Sequence, residues 1–218
     1  MSTIVLANPP WYYKDENKKL RIGVRAGSRW PFTIEYQKDI GYRPFPFFMA
    51  HAMSYLLSKG IAAHFVDSIT ANHTYQQFFN IIKSLDPQIV LIEISTPSAR
   101  NDLIMAEYLY MMGHKIVLAG THATVFADEL IKLPYIDAVL KGEYEKSLLR
   151  YIETRESKIY EPIDTDLNSL PFPYRDDNII WNYKEKTHGN KERQISLMTS
   201  RGCPFQCIFC QWPRVMMN

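Results

Sequence analysis

The run "QIVLIEI", residues 88–94, decides how this chain folds. Its apolar residues crowd together instead of alternating with polar ones, and Pro87 marks its start. A run this short and this rich in isoleucine and valine reads as a strand covered on both faces. Working outward, the same kind of run recurs at Thr3–Ala7 (TIVLA), Ala63–Val66 (AHFV), Lys115–Ala119 (KIVLA) and Ala138–Leu140 (AVL). In Phe45–Lys59, Tyr75–Leu85, Asp102–Met112, Thr124–Lys132 and Glu145–Arg155, apolar residues return at three- and four-residue steps, the pattern of an amphipathic helix. Gly60 and Gly113 follow two of these segments, where helices commonly stop. Five strand–helix units in series predict an α/β domain over residues 1–156. It is expected to be a doubly wound five-stranded parallel sheet with helices on both faces and right-handed crossovers. Ligands of such sheets sit beyond the carboxyl ends of the strands, at the topological switch point.

One connection breaks the rhythm. Asn8 to Pro44 is about 36 residues, where a strand-to-helix loop takes about 2–6. It carries Trp11, Tyr12, Tyr13, Trp30, Phe32, Tyr36 and Tyr42. It reads either as a surface excursion with small apolar contacts of its own or as a lid over a large, flat, partly apolar ligand. The lid is preferred because the insertion leaves from the strand end where ligands bind.

Length and composition set bounds. The 218 residues, 46% hydrophobic and 22% charged, suit an ordinary globular protein with one good core and a smaller unit. A net charge of +2, with basic residues mixed among acidic ones as in KDENKKLR, gives no case for nucleic-acid binding. No apolar run reaches the ~18 residues of a membrane span, and MSTIVLANPP lacks the pattern of a signal peptide. Three clustered cysteines argue against a disulfide framework and for metal or redox chemistry in a reducing, cytoplasmic setting.

After Arg155 the periodicity fades. Residues 157–194 read as an interdomain connector, punctuated by Pro162, Pro171 and Pro173 and containing LNSLPFPYRDD. Ile195–Thr199 (ISLMT) reads as a new strand that opens a second unit over 195–218. It runs directly into TSRGCPFQCIFC, which holds every cysteine of the chain. Thiolates spaced as in Cys203, Cys207 and Cys210 can wrap one face of an iron–sulfur cluster and leave one iron open to a small molecule. Gly202 eases the approach of the loop, and Phe209 sets an aromatic face beside the last cysteine. A closed zinc site needs a fourth ligand. His188 is the candidate, although it lies fifteen residues upstream of Cys203, across the expected strand.

The C-x-x-x-C-x-x-C spacing, with an aromatic before its last cysteine and a strand before its first, resembles the radical S-adenosylmethionine enzymes. The resemblance implies that Cys203, Cys207 and Cys210 hold a [4Fe–4S] cluster whose unique iron chelates S-adenosylmethionine, with Phe209 against the adenine. One electron, from an external reductant such as flavodoxin or ferredoxin, then cleaves that cofactor to a 5′-deoxyadenosyl radical. The upstream part is similar to the cobalamin (B12)-binding domain that precedes the radical barrel in one large subfamily, a Rossmann-like, flavodoxin-like fold. The matching pieces are NPP at Asn8, Pro9 and Pro10, IST at 94–96, AGTHAT at 119–124, KGEYE at 141–145 and LPFPYR at 170–175.

By this resemblance Ser95, Gly120 and Gly142 line the pocket of the nucleotide tail, and Asn8, Pro9, Pro10 and Trp11 face the cobalt. The residues agree with it. Small side chains at the fourth strand end leave a slot, and Ser95 and Thr96 put hydroxyls at the same edge. Gly142 lets the last strand turn sharply. Thr121, His122 and Glu143 complete the candidate cobalamin contacts, each with a plainer alternative. Thr121 and Thr124 are also natural helix caps, and Glu143 also suits a helix's first turn. His122 reads as pocket wall or helix start, not as a cobalt ligand. Asp67 reads as a turn residue, and His51, His64, His73 and His114 as structural or exposed.

Many cobalamin proteins carry D-x-H-x-x-G after the first strand, whereas this chain has NPPWYYKD. The lower face of cobalt is therefore expected to lack a protein imidazole. The implied enzyme is a methyltransferase acting on an unactivated carbon or phosphorus centre of an unknown small molecule. A ring-forming enzyme on the same architecture and a non-catalytic cobalamin carrier or sensor are the alternatives. With only the opening of the barrel present, these 218 residues are expected to bind cobalamin without cleaving S-adenosylmethionine.

Overall fold

The computed structural model describes residues 3–23, 33–35, 42–185, 195–205 and 207–210. Six strands form one sheet: β1 (Ile4–Asn8), β2 (Ala63–Asp67), β3 (Ile89–Glu93), β4 (Lys115–Ala119), β5 (Ala138–Leu140) and β6 (Ile159–Tyr160). Their spatial order is β2-β1-β3-β4-β5-β6, and every neighbouring pair is parallel. That is the flavodoxin-like order, with its switch point between β1 and β3. β6 is one strand more than expected. It is two residues long and lies in the stretch read as connector, too short to show a pattern of its own.

Alternate residues of each strand face opposite layers. Val5, Ala7, Val90, Ile92, Ile116 and Leu118 pack under α2 (Tyr75–Leu85), α3 (Ala99–Met111), α4 (Thr121–Val125) and α5 (Ala127–Leu130). Ile4, Leu6, Ile89, Leu91, Val117 and Leu140 pack under α1 (Phe47–Ser58) and α6 (Glu145–Thr154). The apolar residues of the central strands are buried on both faces, which is why they read as apolar runs without alternation.

The helices differ from expectation in two places. α3 starts three residues earlier than Asp102, because Asp102 is buried and accepts a hydrogen bond from Ser98 Oγ at 2.5 Å. The segment expected as one helix over 124–132 is two short ones that meet at Phe126, whose backbone (φ −110°, ψ 29°) leaves helical geometry. Helices this short have little stability of their own, and Ala123, Ala127 and Leu130 hold them to the core.

The long insertion has secondary structure. Tyr12–Lys14, Leu20–Gly23 and Thr33–Glu35 form a three-stranded antiparallel meander. Tyr42–Arg43 pairs with Lys184–Glu185. The Tyr12 hydroxyl donates to the His73 carbonyl at 2.7 Å, and its ring packs with Ile22 and Ile69. The meander is thus pinned to the chain between β2 and α2. Trp30, Phe32 and Tyr36 of the expected lid lie outside the described residues, as do the side chain of Tyr42 and the alternative zinc ligand His188.

The connector wraps α1. Tyr174 N–H donates to Ala50 O at 3.0 Å, the Arg175 guanidinium lies 4.3 Å from the centre of the Phe45 ring, and Tyr183 donates to Asp67 Oδ2 at 3.0 Å. Ile195–Thr199 is no strand here. It carries no strand assignment, and Leu197 stays 77% exposed. A strand needs a neighbouring strand and cover for its apolar side chains, so the sequence pattern alone does not make one.

Candidate cofactor site

The carboxyl edge of the sheet gathers most of the singled-out residues. Register aligns Asn8 with Asp67 and Glu93 with Ala119, so β1 to β4 end almost level. Asn8 is 1% exposed, and its Oδ1 has no hydrogen-bond partner among the described residues. It is an orphaned acceptor at the switch point. Pro9 and Pro10 are also buried, and Pro10 O accepts from Asn101 Nδ2 at 3.0 Å. The Trp11 ring covers Gly23 so closely that a β-carbon there would overlap it, and it lies 5.9 Å from the Tyr13 ring.

After β3, the Ser95 and Ser98 hydroxyls are 2.9 Å apart, and Ser98 Oγ donates to buried Asp102 Oδ2 at 2.5 Å. Thr96 Oγ1 lies 3.1 Å from His122 Nδ1, which joins the loops after β3 and β4. Burial holds the His122 imidazole below its ordinary range, and its ring stacks at 4.5 Å on Phe126.

Gly120 is set by the protein itself. Its φ is +98°, and an added β-carbon would stand 2.7 Å from Ile94 O and 2.9 Å from Glu93 Cγ. Thr121 is the first residue of α4, with Gly120 as the cap. Thr124 does not cap the helix. Its hydroxyl donates to Gly120 O at 3.0 Å and accepts from Gly142 N–H at 2.9 Å, tying the turns after β4 and β5 together. Behind them, Tyr144 donates to Glu93 Oε2 at 2.6 Å, and burial with that carboxylate drives the phenol far above its ordinary range.

Glu143 is engaged by a residue that the sequence reading did not single out. Arg201, two residues before Cys203, pairs with Glu143 Oε2 at 3.0 Å and Glu145 Oε1 at 2.6 Å. Its side chain is 6% exposed and lies over the Phe48 ring at 5.2 Å. Burial alone would pull the guanidinium down, but Glu145 and Glu143 outweigh it and raise it above its usual value. Burial lifts the Glu143 carboxyl despite Arg201. The signal available in the sequence was the pairing of two acids in KGEYE with one arginine in TSRGC, which no local pattern connects.

The cysteine loop stands at the surface. Cys203 and Cys210 are half-buried and Cys207 is exposed, with Cys210 N–H donating to Cys207 O at 3.0 Å. Phe209 is 87% exposed. Among the described residues no three His, Cys, Asp or Glu side chains converge as metal ligands. The remaining histidines are structural or exposed: His114 Nδ1 donates to Pro87 O at 2.6 Å, His73 Nδ1 meets Ser68 Oγ at 3.1 Å, and His64 is exposed. Asp67, read as a turn residue, accepts from Thr70 N–H at 3.1 Å as well as from Tyr183. No helix among the described residues is long and apolar enough to cross a membrane.

No family model matches the chain, and no solved structure does. Curated relatives are distant. The chain is 28% identical over 185 residues to an uncharacterized methyltransferase of Pyrococcus horikoshii, covering 72% of this chain and 39% of that protein. It is 25% identical over 177 residues to the anaerobic magnesium-protoporphyrin IX monomethyl ester cyclase of Cereibacter sphaeroides, covering 68% and 28%. The cyclase of the same name from Rubrivivax gelatinosus is 23% identical over 197 residues, covering 77% and 35%. The chain therefore spans between 28% and 39% of the length of these relatives. All three are named as enzymes, and this chain is similar to the part of each that it spans.

Proposed function

We propose that the chain is the cobalamin-binding portion and opening barrel segment of a cobalamin-dependent radical S-adenosylmethionine enzyme. The favoured reaction is methyl transfer to an unactivated carbon or phosphorus centre. The observation that carries this reading is a juxtaposition: a C-x-x-x-C-x-x-C loop lies docked against the carboxyl-edge turn of a sheet with flavodoxin-like order.

The residues fit a large amide-bearing ligand. Asn8 Oδ1, buried and unpartnered among the described residues, accepts an N–H of the kind a corrin side chain carries. Ser95 and Thr96 offer hydroxyls, Pro9, Pro10 and Trp11 an apolar floor, and Gly120, Thr121 and Gly142 the shape of the turns around it. His122 is read as a wall and not as an axial ligand: its ring lies against Phe126 and its Nδ1 faces Thr96, and the variant below tests its Nε2. Glu143 serves the ligand only through the oxygen that Arg201 leaves. Cys203, Cys207 and Cys210 suit a [4Fe–4S] cluster in donor chemistry, and Phe209 suits the adenine of S-adenosylmethionine. When bound, these cofactors supply one-electron chemistry and a transferable methyl group. A second reading, oxidative ring formation, is favoured by two relatives named as cyclases.

Electron paramagnetic resonance of Co(II) cobalamin bound to the protein tests this assignment. The expected spectrum lacks nitrogen superhyperfine splitting and is unchanged by His122→Ala. Nitrogen splitting that disappears in that variant would make His122 the ligand and overturn the assignment of the site.

A further inference from the structure

Arg201 belongs to the segment that leads into the cysteine loop, yet its side chain is among the most buried charges described. It spans two carboxylates of one turn, Glu143 and Glu145, and lies against Phe48 of α1. Glu145 is 1% exposed, and its second oxygen has no partner among the described residues, so Arg201 is its neutralising contact. Removing one member of such a group strands a buried charge. The turn is not free to follow the loop. Gly142 N–H is held by Thr124, whose hydroxyl also holds Gly120 O. A second tether acts upstream, where Arg175 donates to Ser196 O at 2.7 Å. The contacts thus run without a gap from the end of β4 through Thr124, Gly142 and Glu143 to Arg201, one glycine away from Cys203.

We propose that Arg201 is a positioning residue: it fixes the cysteine loop against the turn that closes the sheet-edge site, so that the placement of one site depends on the other. An arginine fork suits this role, because a planar guanidinium bridges two carboxylates where a lysine point charge meets one. The inference rests on the proposed function only for what each site binds. The placement itself needs no cofactor.

Pulsed dipolar spectroscopy on the chain reads that placement. One nitroxide is carried at Cys207, with Cys203 and Cys210 replaced by Ser, and a second at Lys59→Cys beyond the end of α1. The expected distance distribution is single and narrow. Arg201→Gln broadens it at least about twofold, and Arg201→Lys restores part of the narrowing. Should Arg201→Gln fail to fold, Glu143→Gln, whose side chain is more exposed, broadens it in the same direction. Trypsin gives an independent reading, since cleavage after Arg201 needs the side chain withdrawn from its pair. The rate at that bond rises about tenfold in Glu143→Gln. A distribution equally narrow in folded Arg201→Gln, or in Glu143→Gln where the first does not fold, would overturn the proposal, as would unchanged cleavage. No measurement here uses cobalamin, iron or S-adenosylmethionine, so this failure is distinguishable from a failure to bind them.

Discussion

His51 shows how one side chain on α1 registers the docking of the connector. Burial is the chief reason its imidazole is held down to about 4, with Arg201 and Arg175 adding to the shift and a hydrogen bond to the Pro171 backbone opposing it. In the unfolded chain a histidine titrates near about 6.5. Between these values the unfolded state binds the extra proton, so stability rises with pH across that window. The contribution is present above about pH 6.5 and is lost as pH falls toward 4. His73 and His122, also lowered by burial, add a slope of the same sign. Urea titrations at stepped pH should show His51→Gln losing much less stability than the parent between pH 6.5 and 4; equal slopes would contradict the burial of His51. None of this was legible in the sequence, where His51 is a polar residue within a helix-like pattern and its neighbours Arg175 and Arg201 are far away along the chain.

At the scale of elements, β3 and β4 are joined at their carboxyl ends by Gly120. An alanine there must adopt φ near +98°, and its methyl would press on Ile94 O. That combination of dihedral and contact costs about 3 kcal/mol or more. Gly120→Ala should lower the unfolding free energy from urea titration by that amount with or without any cofactor; an unchanged free energy would show that β3 can yield. The strands themselves were legible, because burial on both faces leaves an apolar run that needs no partner to be recognised. α2 was read to the residue, its start reinforced by a reciprocal Thr74–Gln77 cap. β6 was not, since two residues carry no periodicity. The meander after β1 was missed because its three strands are held by one another and by contacts with Ile69, His73 and Tyr75, not by an apolar run of their own in the sheet. Ile195–Thr199 shows the opposite error, a strand-like composition with no sheet beside it among the described residues.

At the scale of the whole molecule, the sequence motifs and the fold converge on one edge. The order of strands puts Asn8, Ser95, Gly120 and Gly142 at the ends where doubly wound sheets take ligands. The candidate contacts were legible as strand-end residues, but their partners were not. Thr96 with His122, Thr124 with Gly142, and Arg201 with Glu143 are all long-range pairs. Relatives named for methyl transfer and for ring closure agree on an enzyme and differ on its reaction, so the binding step is the place to test the account. A large flat macrocycle gains roughly 25 cal/mol for each Å² of apolar surface removed from water, so burial alone contributes to retention. The direct measurement is equilibrium dialysis of the purified chain against hydroxocobalamin. Saturable retention of one cobalamin per chain is expected, weakened by Asn8→Leu. A natively folded chain that retains none would contradict it.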